Sequence, residues 1–135
     1  GSVGKAWEIW KSDVDAIFVG SKPGAMSGEG AQGVQNTPII ATSAAAISSK
    51  ALAILRKSNT PVAADFLTGI GPALAWWTPE ETSQAELRSS TSAVVSGLLE
   101  ETDGHSDGHF MAACYKAEAF IDSWQEQRPF GRPLG

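Results

Sequence analysis

The chain is short of the residues that build covalently linked or metal-clustered cores. It has one cysteine, Cys114, in 135 residues, which excludes an intramolecular disulfide and any cysteine-rich zinc framework. Histidine occurs only twice and tyrosine once. Basic residues are also few, with 10 Lys and Arg against 15 Asp and Glu and a net charge of −5. A phosphate backbone is recognised by a basic face that this balance does not supply, so nucleic acid is not an expected partner. No apolar run reaches membrane-spanning length, and no charged segment leads into an apolar signal core. The expectation is a soluble chain without a membrane partner and without a signal peptide, in an unspecified compartment. Gly1 and Ser2 read as an expression scar.

What is present fits one ordinary globular domain over residues 1–135, with 42% hydrophobic and 19% charged residues. The surplus is in tryptophan: Trp7, Trp10, Trp76, Trp77 and Trp124. A side chain of that size serves as a heavy core piece or as a contact anchor.

Apolar spacing near 3.6 residues predicts five helices, roughly Lys5 to Val19, Pro38 to Lys57, Pro61 to Trp77, Pro79 to Glu101 and Gly108 to Gln127. The pairs Thr37-Pro38, Thr60-Pro61 and Thr78-Pro79 read as helix starts, threonine capping and proline taking the first position. Glu80 and Glu81 complete a capping box in the third. No segment alternates convincingly, so the fold class expected is an all-α bundle. The second helix is alanine- and serine-rich, "ATSAAAISSKALAIL", a surface that lets another backbone approach closely. Residues 20–36 form a long glycine-rich connection. Within it "GEGAQG", Gly28 to Gly33, matches G-x-G-x-x-G, but no strand precedes it in this reading and Glu29 sits where phosphate would, so it reads as a flexible loop. The tail, residues 128–135, writes "RPFG" and "RPLG" in succession, with Phe130 and Leu134 as apolar knobs and Arg128 and Arg132 between them.

Both histidines fall in "DGHSDGH", residues 103–109. Its start follows a calcium-loop spacing, but Cys114 stands at the twelfth position in place of the bidentate glutamate. As a transition-metal site, His105, Asp107 and His109 would be the ligands and zinc the ion. Gly104 and Gly108 weaken any helix that would align the two imidazoles. The alternative is a plain connection in which the glycines reverse the chain and Asp107 caps the last helix. Glu100 and Glu101, at the end of a helix where the dipole disfavours acids, form with Asp103 and Asp107 an acidic cluster that a cation or an arginine, Arg128 or Arg132, would neutralise.

Cys114 reads as a small packed hydrophobe, and no nucleophile motif is present. These features predict a non-enzymatic association module whose partner is protein, most simply copies of itself, such as a structural subunit of a virus or phage particle. Trp76, Trp77, Arg128, Phe130, Arg132 and Leu134 are the expected contact residues, with no cofactor. The alternatives are a small metal-dependent enzyme built on residues 103–109 and a small-ligand pocket lined by Trp76, Trp77 and Trp124.

Overall fold

A computed structural model of the chain describes residues 4–125. It corrects the expected all-α bundle: the first half is a three-stranded parallel sheet with interleaved helices. After a short 3-10 helix, Ala6–Lys11, come β1 (Ile17–Val19), α1 (Gly28–Gln32), β2 (Ile39–Ala41), α2 (Ser49–Lys57) and β3 (Val62–Ala63). Four helices follow: α3 (Asp65–Thr68), α4 (Gly71–Trp77), α5 (Gln84–Thr102) and α6 (Gly108–Asp122). Among the described residues no helix is long and apolar enough to cross a membrane.

The strands lie in chain order, with Ile17 opposite Ile39 and Ile39 opposite Val62. Strands of two or three residues are too brief to display an alternation, and Ile39 and Ile40 also fit a helical stripe. That is why the periodicity misled. Ile17, Val19, Ile39, Ala41 and Val62 point to one face and are buried with Met26, Ala31, Ile47, Ala51 and Leu55. On the other face Phe18 is 66% exposed.

Two Thr-Pro pairs therefore start strands, not helices. The Pro38 carbonyl accepts from the amide of Ile17 at 2.9 Å, and the Pro61 carbonyl accepts from Ile39 at 2.9 Å. Proline lacks a donor but keeps its acceptor, which is what the first residue of a strand needs here. Before each pair stands an asparagine in the left-handed region, Asn36 at φ 61° and Asn59 at φ 58°. Asparagine tolerates that conformation better than other non-glycine residues. The motif Asn-Thr-Pro is thus the corner that turns a helix back into the sheet, with Thr37 and Thr60 buried. The third pair differs: Thr78 ends α4, its hydroxyl donating to the Leu74 carbonyl at 2.6 Å. The capping box belongs to Ser83 and Glu86, ahead of α5.

The glycine-rich segment is also corrected. Its middle is α1, capped by the Ser27 hydroxyl, which accepts from the amide of Gly30 at 3.2 Å. A strand does precede the glycines, but they lie within the helix and serve packing. A Cβ on Gly28 would come within 2.8 Å of the Lys50 side chain, and one on Gly30 within 3.0 Å of the Trp10 indole. Ser48 caps α2 in the same manner as Ser27 caps α1. The loops ahead of these helices also stack, the Gly24 amide donating to the Ala45 carbonyl at 2.8 Å. Beyond β3 there is no such loop, and the Asp65 carboxylate accepts from the Ala45 amide at 2.6 Å instead.

A smaller core, Ala64, Leu67 and Ala113 with Leu98 and Phe110 against it, joins α3, α5 and α6. Phe110 touches both cores and so ties α6 to the sheet unit.

Two substitutions test this construction by urea unfolding. Leu55→Ala empties a fully buried position and is expected to cost about 2–5 kcal/mol. Asn59→Val is expected to cost about 1–2 kcal/mol, because a β-branched residue resists positive φ, whereas Asn59→Gly stays near wild type. Equal losses for Val and Gly would refute the corner's conformational role.

Candidate functional site

The turn between α5 and α6 docks on the C-terminal end of α2, a contact remote in sequence. Gly104 and Gly108 have φ of 68° and 80°, with no heavy atom near enough to obstruct a side chain. They are glycines for conformation alone. Between them the chain closes a tight turn, the Gly108 amide donating to the His105 carbonyl at 2.8 Å.

Asp107 precedes α6, but its carboxylate makes no capping bond. One oxygen pairs with the Arg56 guanidinium, and the other accepts from the Tyr115 hydroxyl at 2.9 Å. The Tyr115 hydrogen bond, followed by the charge and hydrogen bond of Arg56 and by the electrostatic influence of the nearby His105, holds the Asp107 carboxyl below its usual range, although desolvation pushes the other way. Among the described residues, the arginine that pairs with this acid comes from α2. Glu101 is paired with Lys116 of α6. Arg128 and Arg132, the expected partners, lie outside the described residues, as do Phe130 and Leu134.

The two imidazoles have different partners. The Asp107 backbone amide donates to His105 Nδ1 at 3.1 Å, leaving the ring proton on Nε2, and the ring lies 5.5 Å from that of Tyr115. His109 Nδ1 lies 3.1 Å from the Thr102 hydroxyl, which already donates to the Leu98 carbonyl at 2.9 Å. The other nitrogen of His109, Nε2, is 3.4 Å from Asp103 Oδ1. Among the described residues no three His, Cys, Asp or Glu side chains gather as a metal ion requires. Cys114 is half-buried on α6.

Beside this turn is a cleft of about 450 Å³. Leu52, Ala53, Pro61, Val62, Phe110 and Met111 give it apolar walls, while Arg56, Asn59, His105 and Asp107 provide polar groups. Arg56 is a cation in the last turn of α2, where the helix dipole alone accounts for it, and Asn59 and Tyr115 carry no local motif that points to a site. The one signal available was the spacing of Asp107 and Tyr115, about two helical turns apart, which stacks them on one face.

The tryptophans lie elsewhere. Trp76 and Trp77 are 85% and 82% exposed on α4. Trp124 packs edge-on to Phe120 at 6.3 Å, just past the end of α6.

Asp107→Asn tests the turn's anchor. Because the folded-state pKa is depressed, the carboxylate's stabilisation is full above the unfolded-state pKa and is lost as pH falls through the folded value. Thermal unfolding should show a stability gap between wild type and variant at neutral pH that closes in acid. A gap independent of pH would refute the ionic account.

Comparison of the chain with protein-family models, with curated proteins and with solved structures finds no match, so the functional reading rests on the chain's own residues.

Proposed function

We propose that the chain is an association module whose partner is a second copy of itself, and that α4 is the contact element. The observation that carries this is α4 itself. Its sequence, "GPALAWW", contains no charge, none of its residues is buried, and its two tryptophans are the most exposed large apolar side chains among the described residues. An uncharged helix ending in a pair of exposed tryptophans is what an interface presents before it is covered. Each tryptophan brings about 150–250 Å² of surface, so covering both contributes several kcal/mol at about 25 cal/mol per Å².

The same chain carries a receptor of matching chemistry. A groove of about 410 Å³ runs between α3, α5 and α6, walled by Phe66, Leu67, Ile70, Leu98, Ala117 and Phe120. Trp76 and Trp77 of one copy seated in this groove of the next make a head-to-tail contact, which builds rings or filaments. The expected surfaces in the sequence included Trp76 and Trp77, and these two carry the reading.

Light scattering tests it. The wild-type chain is expected above its 14.1 kDa single-chain mass and to gain mass with concentration. Trp76→Ala with Trp77→Ala, or Ala117→Arg alone, should return it to a monomer. Mixing those two variants should restore one contact per pair and give a dimer, because each retains the half that the other lacks. A wild-type monomer at millimolar concentration, or no dimer in the mixture, overturns the proposal.

A further inference from the structure

The cleft at the α2 end uses none of the residues assigned to association, and its chemistry is unlike that of α4. We propose that it binds an uncharged, largely apolar small molecule carrying one oxygen acceptor, such as a carbonyl. Its volume of about 450 Å³ falls within the range of sites that enclose small ligands, and apolar walls with a few placed polar groups are their usual build.

The polar groups decide the class. Both oxygens of Asp107 are engaged, by Arg56 and by Tyr115, so the carboxylate offers little to a ligand donor. What remains on offer is donors. His105 Nε2 carries the ring proton, because Nδ1 accepts from the Asp107 amide. Arg56 keeps N–H groups beyond the nitrogen held by Asp107, and Asn59 has its amide. A ligand acceptor therefore finds partners.

Charge excludes the ionic alternatives. The Arg56–Asp107 pair is neutral as a unit, so an anion entering the cleft would be desolvated beside an ionised carboxylate. A cation meets the same arithmetic with the sign of Arg56 against it. An uncharged acceptor on an apolar body loses little water and gains one or two hydrogen bonds.

Three probes of one shape separate these cases by ligand-observed NMR: acetophenone, ethylbenzene, which lacks the acceptor, and benzoate, which adds the charge. Acetophenone is expected to bind saturably and several-fold more tightly than either of the others. Ala53→Trp, at an exposed α2 position on the cleft wall, should abolish that binding with the helical circular dichroism retained. Met111→Trp should do the same from the opposite wall. The Trp76→Ala, Trp77→Ala double variant should bind acetophenone as wild type does, which separates this site from the association surface. Ethylbenzene or benzoate binding as tightly as acetophenone, binding that survives both cleft-filling variants, or binding that disappears with the α4 tryptophans overturns the proposal.

Discussion

Everything downstream of the first helix depends on how the chain turns from a helix back into the sheet. At Asn36 and Asn59 the backbone takes a positive φ. Threonine is then buried, and a proline carbonyl is delivered to the strand before it. That one corner, used twice, sets each new strand parallel and adjacent to the last. Because side chains alternate along a strand, a one-residue error at the corner would turn Ile39 or Val62 out of the core. The corner therefore fixes the register, and the register buries Ile17, Val19, Ile39, Ala41 and Val62 with α1 and α2.

The second corner also makes the cleft. Asn59 and Pro61 stand on its wall because they connect α2 to β3, and Arg56 reaches the turn at Asp107 because α2 ends there. The α5–α6 connection is held in place by that ion pair, by Tyr115 and by Phe110. By contrast α4 and the first half of α5 contribute no buried residue. The molecule thus divides into a well-packed sheet unit and a projecting helical pair whose apolar surface is left open.

Some of this was legible in the residues. The long α5 and α6 stand close to where apolar spacing put them, since helices of that length display several turns of pattern. The glycines of 103–109 were read as turn formers, and they are. The sheet was not legible because its strands are too short to alternate, and because Thr-Pro suits a strand entry as well as a helix start. The Asn before each pair was the missed signal: Asn-Thr-Pro occurs twice and Thr-Pro with another predecessor once, at Trp77-Thr78-Pro79, where the structure has a helix end. Nor could local sequence bring Arg56 to Asp107, since that meeting follows from the fold.

The central claim is that the two α4 tryptophans meet another copy. Labelling the chain with 5-fluorotryptophan and following its ¹⁹F spectrum against protein concentration reads each indole separately. On this account the resonances of Trp76 and Trp77 shift or broaden as concentration rises, and their response to a change of solvent isotope falls, while that of Trp10, packed against α1, stays fixed. Resonances of Trp76 and Trp77 that remain solvent-responsive and unmoved across the whole range would contradict it.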